Sequence, residues 1–120
     1  MARILILDDE EDVCQLMRRI LTDSGHEVGT FTEVGDALEW LVSHNPDLVL
    51  LDYRLRGTDG ISVLGSIRMS RPETEIIIIT GKPAPELERK ASELGIREYL
   101  IKPVEIRDLE FHVNRALGVI

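Results

Sequence analysis

The sequence predicts an α/β domain, a single doubly wound (βα)5 unit in which five strands alternate with five helices. Residues 48–51 and 76–79 are uninterrupted apolar runs, which is typical of strands buried on both faces of a parallel sheet. Amphipathic segments with helical spacing separate the apolar runs along the whole chain. Such alternation requires parallel strands joined by right-handed crossovers, so helices must cover both faces of the sheet.

The size and composition of the chain favour one globular domain, which we expect to span residues 1–120. Apolar residues make up 43%, and 14 basic residues stand against 22 acidic ones, for a net charge of −8. This balance argues against direct contact with nucleic acid or with an anionic membrane surface. The single cysteine, Cys14, fits a reducing cytosol, so we expect a cytoplasmic location without a signal peptide or membrane span.

The first half of the chain predicts three strands and two helices. Residues 3–7 form the first strand, and the helix after it has an acidic first turn that suits the helix dipole. The apolar stripe of that helix comprises Val13, Leu16, Met17, Ile20 and Leu21. Residues 27–31 form a weaker edge strand, and Thr32 can cap the second helix, whose stripe comprises Val34, Ala37, Leu38 and Leu41. Asn45 and Pro46 then turn the chain into the third strand.

The second half predicts the remaining elements. Residues 53–60 form a loop with two glycines, and Ile61, Leu64 and Ile67 mark the third helix. The fourth strand covers residues 76–80, and residues 81–85 form a loop because two prolines cannot lie inside a helix. A helix over about 86–94 and a strand over 98–101 follow. The apolar stripe of the last helix comprises Ile106, Leu109, Val113, Ala116 and Leu117.

Polar residues follow four of the five strands, at the point where each strand ends. They are Asp8 and Asp9 after the first strand, Asp52 after the third, Thr80 after the fourth and Lys102 after the fifth. The carboxyl ends of parallel strands lie at one edge of the sheet. If the strand order is 2-1-3-4-5, the first and third strands are neighbours at the switch point, where ligands bind. The three aspartates would then converge, with the threonine and the lysine beside them.

This set of side chains suits phosphoryl transfer to a carboxylate. Three carboxylates in one small site require either a retained proton or a hard cation such as Mg²⁺. An ammonium group can bind a phosphoryl oxygen, and a threonine hydroxyl can bind the same group. We therefore predict that Asp52 attacks phosphorus in line, that Mg²⁺ offsets the developing charge, and that the product is an acyl phosphate.

Five short motifs occur in order along the chain, at residues 4–10, 50–52, 59–60, 79–81 and 99–103. Each is weak alone, but together and at these strand ends they are specific. The whole sequence resembles the receiver domain of two-component response regulators. The resemblance implies a flavodoxin-like fold and a phosphorylation-dependent signalling switch, which is a phosphoacceptor and not an enzyme beyond phosphorylating and dephosphorylating itself.

The resemblance also implies roles for individual residues. Asp52 would accept the phosphoryl group from a sensor histidine kinase or a phosphotransfer protein. Asp9 and Asp52 would hold Mg²⁺, with Asp8 helping through water and the backbone carbonyl of Arg54 completing the site.

The remaining implied roles concern the response to phosphorylation. Lys102 would bind the phosphoryl group, Thr80 would move toward it, and Tyr99 would turn inward. The bond between Lys102 and Pro103 would be cis. The chain departs from the family pattern at three basic residues, Arg54, Arg56 and Lys82, whose side chains would flank the phosphorylation pocket.

The implied partners are a downstream protein or a fused output domain, and the family allows a phosphorylation-dependent homodimer.

Simpler explanations exist for single residues: the acidic run could be an ordinary helix start, and Asp52 could be a turn residue. A haloacid-dehalogenase-type phosphatase would also use an aspartyl phosphate, but it places a second aspartate two residues after its nucleophile, where this chain has Glu10. A flavin carrier would need a phosphate-binding loop where Asp8 and Asp9 would repel phosphate.

Overall fold

The apolar runs of the sequence form the central sheet of the protein in the computed structural model. The structure describes residues 2–52, 54–55, 58–82 and 84–118. For residues 54–55 and 58–59 it describes the backbone alone. The strands of this parallel sheet are β1 Arg3–Leu7, β2 Glu27–Phe31, β3 Leu48–Asp52, β6 Glu75–Thr80 and β7 Glu98–Ile101. Their order is β2-β1-β3-β6-β7. Counting these five strands alone, the predicted order 2-1-3-4-5 is confirmed.

Five helices cover the two faces of the sheet, as the alternating pattern requires. Helices α1 Glu11–Asp23 and α5 Ile106–Ala116 pack on one face. Helices α2 Val34–His44, α3 Gly60–Ser70 and α4 Pro85–Glu93 pack on the other. No helix in the described part of the chain combines the length and the apolar character that a bilayer crossing requires.

Strand β1 shows why the central strands read as continuous apolar runs. Ile4 and Ile6 point into the core under α1 and α5, whereas Leu5 and Leu7 point into the core under α2, α3 and α4. All four side chains are fully buried. Successive side chains of a strand point to opposite faces, so a strand covered on both sides must be apolar at every position.

The predicted loop before α3 is wrong in part. The structure places a short antiparallel ribbon there, β4 Arg54–Leu55 paired with β5 Thr58–Asp59. Strands of two residues have no hydrophobic alternation that a sequence pattern could reveal. Tyr53, Arg56 and Gly57 lie outside the described residues.

Two predicted helix starts also differ from the structure. Helix α2 begins at Val34 with Glu33 as its N-cap residue and no side-chain cap, so the capping role predicted for Thr32 is wrong. Helix α4 begins at Pro85, one residue earlier than predicted. Proline fits the first turn of a helix because its fixed φ is helical and its missing N–H has no partner to lose there. Pro83 lies outside the described residues.

The buried stripes of α1 and α5 are narrower than the sequence predicts. Leu16 and Ile106 were expected to face the core, but each is more than half exposed. Helix α1 instead buries Cys14, Met17 and Leu21, a spacing of i, i+3 and i+7 that forms one line along the helix. Packing Cys14 against the sheet turns Leu16 toward solvent.

A glycine on the edge strand β2 makes room for the single tryptophan of the chain. A Cβ atom built on Gly29 would lie 2.9 Å from two ring carbons of Trp40 and 3.2 Å from the ring of Phe31. Gly29→Ala is therefore expected to lower the free energy of unfolding by about 1–3 kcal/mol, because the added methyl group overpacks this contact. Urea unfolding, with the emission maximum of Trp40 recorded in the native state, measures both the cost and any displacement of the ring.

Gly65→Ala is the matched control. Gly65 lies inside α3, and a Cβ atom there would have no neighbour within 4 Å. Alanine is the better helix former, so this change is expected to stabilise the protein by up to about 1 kcal/mol. Equal effects of the two substitutions would contradict the steric account of Gly29.

Candidate functional site

The pairing of β1 with β3 places two acidic residues side by side at the carboxyl edge of the sheet. Leu7 is the register partner of Leu51, so the next residues, Asp8 and Asp52, leave adjacent strands at the same level. The N–H of Asp8 donates to the carbonyl of Phe31 at 3.0 Å, which holds Asp8 against β2. Both aspartates are buried, Asp8 to 1% and Asp52 to 5% exposure. Carboxylates this buried require compensating partners.

Lys102 is the partner that the two buried carboxylates share. Its Nζ lies 3.0 Å from Oδ2 of Asp8 and 3.2 Å from Oδ2 of Asp52. Burial alone would lower the pKa of Lys102, but the hydrogen bond to Asp8 and the charges of Asp52 and Asp8 outweigh burial and raise its pKa above the ordinary value. The lysine is therefore a fixed cation across the neutral pH range.

The carboxylates outnumber the ammonium group. One carboxylate oxygen from each of Asp8, Asp9 and Glu10 lies within 4.8 Å of the other two, and a carboxylate oxygen of Glu10 is 3.9 Å from Nζ of Lys102. Hard oxygen donors close together suit Mg²⁺, which is bound through few carboxylates and retained waters. The group formed by Asp8, Asp9 and Glu10 therefore fits the predicted metal, and Asp52, another predicted ligand, is joined to Asp8 through Lys102.

Glu10 was not among the predicted ligands. Its N–H donates to Oδ1 of Asp8 at 2.9 Å, which turns its exposed side chain toward the same cluster. The available signal was its position directly after Asp8 and Asp9. An acidic residue at the start of a helix is common for other reasons, so that signal did not separate a ligand from a helix-dipole contact.

Thr80 is fully buried at the end of β6, and its hydroxyl is engaged with the turn that follows. Its Oγ1 accepts the N–H of Lys82 at 3.2 Å and lies 3.4 Å from the carbonyl oxygen of Lys82. Its own carbonyl accepts the N–H of Lys102 at 2.7 Å. Thr80 thus lies beside the predicted phosphoryl-binding lysine while its hydroxyl holds the start of the β6–α4 connection.

Tyr99 is half-buried against the core under α2, α3 and α4. Its hydroxyl is buried and has no hydrogen-bond partner within the described ranges.

The Lys102–Pro103 bond is cis, as the resemblance implied. Arg54 lies in β4, where only the backbone is described. Its carbonyl oxygen stays a predicted metal ligand. Lys82 is exposed, and Arg56 lies outside the described residues.

Cys14 lies next to the acidic cluster and contacts the backbone of Asp8. Its thiol donates to the carbonyl oxygen of Asp8 at 3.3 Å, with the carbonyl oxygen of Phe31 at 3.7 Å. Burial, then the nearby charges of Asp8 and Glu11, raises the pKa of the thiol to about 11. A protonated, fully buried thiol is a packing residue and a weak donor, and it lacks the thiolate character of a nucleophile.

The raised pKa of Cys14 links stability to alkaline pH. In the unfolded chain the thiol ionises near 9.0, whereas in the folded protein it stays protonated up to about 11. The folded state then binds one more proton than the unfolded state, so the free energy of unfolding is expected to fall by about 2–3 kcal/mol across this interval. Urea unfolding between pH 8 and 11 without divalent cations, compared with Cys14→Ser, isolates the thiol. Equal slopes in the two proteins would contradict the assignment.

Comparison with known proteins agrees with this geometry. The family model described as the response regulator receiver domain matches residues 4–114. The chain is 34% identical over 107 residues to the transcriptional regulatory protein DltR of Streptococcus agalactiae, covering 89% of this chain and 48% of DltR. It is 33% identical to the regulatory protein AtoC of Escherichia coli, covering 96% of this chain and 25% of AtoC. The chain therefore spans about half the length of DltR and a quarter of AtoC.

Among solved structures, the fold matches a CheY-like response regulator receiver domain protein from Methanospirillum hungatei. The TM-score is 0.95 at 28% identity, over 99% of this chain and 95% of that one. These matches do not favour a haloacid-dehalogenase-type phosphatase. Both the family model and the sheet order lead to one conclusion: the chain belongs to the response regulator receiver domain family.

Proposed function

We propose that the chain is a phosphorylation-operated switch of a two-component system, with residues 1–120 as one receiver domain and Asp52 as the acceptor. The observation that carries this proposal is the ammonium group of Lys102 between the buried carboxylates of Asp8 and Asp52. A half-buried cation beside a carboxylate at the carboxyl edge of a parallel sheet is suited to bind a phosphoryl group placed on that carboxylate.

Asp52 is the proposed acceptor because of its position at the end of β3, and Asp8 has a different role. Both oxygens of Asp8 are occupied, Oδ1 by the N–H of Glu10 and Oδ2 by Lys102. Asp8 is thus an anchor for the acidic cluster. Asp52 is the last residue of β3, at the switch point where the crossovers to the two sides of the sheet diverge.

The proposed donor is a phosphohistidine of a sensor kinase or of a phosphotransfer protein. A carboxylate oxygen of Asp52 attacks phosphorus in line with the phosphorus–nitrogen bond. That bond breaks, its electron pair stays on the imidazole nitrogen, and an acyl phosphate forms on Asp52. When held by Asp9, Asp52 and the carbonyl of Arg54, with Asp8 helping through water, Mg²⁺ would supply charge that offsets the negative charge on the phosphoryl oxygens.

The switch follows from the new charge. A phosphoryl group adds negative charge and strong acceptor oxygens within reach of Lys102, whose Nζ is already 3.2 Å from Asp52. Thr80 is the proposed second donor. Its hydroxyl must leave the backbone of Lys82 to reach the phosphoryl group, and this exchange couples the acceptor to the β6–α4 connection.

Mass spectrometry after addition of acetyl phosphate tests the proposal. We expect a mass gain of one phosphoryl group that requires Mg²⁺ and maps to the peptide containing Asp52. No gain in the presence of Mg²⁺ would overturn the proposal. Sizing of the phosphorylated protein tests the further proposal of a homodimer, for which Ile101 on β7 and Phe111 on α5 offer exposed apolar surface.

The proposed function also includes a target on which the phosphorylated receiver acts. The matched relatives extend well beyond the length of this chain, and their names describe regulatory proteins. We propose that this receiver acts either on a separate downstream protein or on an output domain fused to it, without contacting nucleic acid itself. The net charge of −8 supports the last point, because an acidic surface repels phosphates.

A further inference from the structure

The two ends of α4 are held by different kinds of contact. Ala91, near the carboxyl end, is the one residue of α4 that the described structure fully buries. The amino end begins at Pro85 without a side-chain cap, directly after the turn in which Lys82 bonds to Thr80. Tertiary packing therefore holds α4 mainly at its carboxyl end, which lies at the edge of the sheet opposite the acidic cluster.

The carboxyl end of α4 is closed by a Schellman motif. Gly95 has a left-handed φ of +79°, its N–H donates to the carbonyl of Ser92 at 3.0 Å, and the N–H of Ile96 donates to the carbonyl of Ala91 at 3.4 Å. This motif satisfies carbonyls inside the helix. The carbonyls of Leu94 and Gly95 themselves point out of the motif, where the negative end of the helix dipole favours a cation.

Arg68, on α3, supplies that cation. Its Nε donates to the carbonyl of Leu94 at 3.0 Å and its Nη2 donates to the carbonyl of Gly95 at 3.0 Å. On the other side of the same guanidinium, Nη1 donates to the carbonyls of Pro72 and Thr74, each at 2.8 Å. One planar group thus joins the turn after α4 to the turn after α3, a task that its fixed fork of donors suits.

We propose that Arg68 is a positioning residue that makes the carboxyl end of α4 a pivot. Release of the Lys82 backbone by Thr80 would then swing the amino end of α4 while residues 91–96 stay in place. This inference rests on the proposed function for its input signal, but the anchoring by Arg68 exists without phosphorylation.

The lever is short and stiff. Nine helical residues span about 13 Å, so a shift of the amino end becomes a tilt of the whole helix if the other end is fixed. If the carboxyl end were loose, the same shift would be absorbed by sliding or fraying of a helix that has little buried surface. Arg68 therefore decides whether the movement of Thr80 reaches the exposed face of α4.

Arg68→Lys tests the pivot, because a single ammonium group keeps the charge but cannot reach carbonyls on both sides. Arg71→Lys is the matched control. Arg71 lies directly after α3, and its guanidinium donates to the carbonyls of Leu41, at 3.3 Å, and Val42, near the end of α2. Arg68→Gln serves as a second variant if the lysine variant does not fold.

Hydrogen–deuterium exchange is recorded for each protein, as the intact 120-residue chain, with and without acetyl phosphate and Mg²⁺, and phosphorylation is measured by mass in the same samples. In the parent, phosphorylation is expected to change exchange in residues 81–87 and to leave residues 91–96 unchanged. In Arg68→Lys, residues 91–96 should exchange about tenfold faster or more even without phosphorylation, because several charge-assisted hydrogen bonds are lost. Phosphorylation should then alter exchange along the whole of α4. Arg71→Lys should affect the end of α2 and leave α4 as in the parent.

Three results would overturn the pivot. They are parent-like exchange of residues 91–96 in Arg68→Lys, an equal effect of Arg71→Lys on α4, and a phosphorylation-dependent change that already reaches residues 91–96 in the parent. A missing mass gain in the parent would instead count against the proposed function. The comparison of unphosphorylated proteins would still decide whether Arg68 anchors α4.

Discussion

Asp52→Asn is expected to abolish phosphorylation of the protein by acetyl phosphate in the presence of Mg²⁺. Asparagine keeps the size of the side chain but lacks the carboxylate oxygen that must form the bond to phosphorus. The fold should survive, since an amide can still occupy the end of β3 beside Lys102. Intact-protein mass spectrometry measures the loss, and thermal unfolding reports whether the variant is folded.

Asp47→Asn is the matched control for Asp52→Asn. Asp47 directly precedes β3, at the opposite edge of the sheet, where its exposed carboxylate accepts the N–H of Arg3 at 2.9 Å. The amide oxygen of asparagine can accept the same bond, so this variant should be phosphorylated as the parent is. A mass gain that persists in Asp52→Asn would place the acceptor on another residue of the acidic cluster.

Lys102→Ala is expected to produce the second large effect, on stability and on switching together. Its removal leaves Asp8 and Asp52 buried, close together and without their shared cation. Breaking such a buried pair lowers the free energy of unfolding by on the order of 3 kcal/mol. Mg²⁺ should stabilise the variant more than the parent, because the ammonium group no longer competes for the carboxylates. Urea unfolding with and without Mg²⁺ measures both effects.

The raised pKa of Lys102 gives this prediction a pH signature. A cationic group whose pKa is raised by folding contributes stability below its unfolded pKa, here 10.5, and loses that contribution as pH rises through its higher folded pKa. The stabilities of the parent and of Lys102→Ala should therefore differ at pH 7 and converge above pH 10.5. A constant difference across this range would show that the lysine acts through packing alone.

Lys102→Ala should also separate phosphorylation from its structural response. Asp52 remains as the acceptor, but the cation that binds the phosphoryl group is gone. Exchange of amides around Thr80 and Lys82 should then be the same before and after the mass gain. Lys90→Ala, which removes an exposed lysine of α4, should respond as the parent does. An unchanged response in Lys102→Ala would remove the role given to this lysine.

The sequence was sufficient for the sheet and for the main members of the site. Apolar runs at β3 and β6 identify buried parallel strands, and each is followed by a polar residue at a position that the topology brings to one edge. The sequence alone therefore groups Asp8, Asp52, Thr80 and Lys102. Parallel topology converts a position along the chain into a position in space.

Other features depend on contacts that no local pattern encodes. Arg68 looks like an ordinary helical arginine in the sequence. Its role is defined by carbonyls of two turns, one 4 and 6 residues further along the chain and the other 26 and 27 residues further along. The burial of Cys14 in place of Leu16 depends on how α1 is rotated against the sheet. Glu10 was missed as a neighbour of the metal ligands because an acidic helix start has an ordinary explanation.

The uniform direction of the five strands separates two kinds of residue into opposite poles of the molecule. The acidic cluster, Thr80 and Lys102 occupy one pole, whereas Arg3, Arg68 and Arg71 bind backbone carbonyls at the other. A library that varies the residues directly after the strands would therefore change the chemistry of one pole. The hydrogen bonds from the arginines to backbone carbonyls at the other pole would remain. For protein engineering, such substitutions must keep the charges around Lys102 balanced, because this cation neutralises two buried carboxylates.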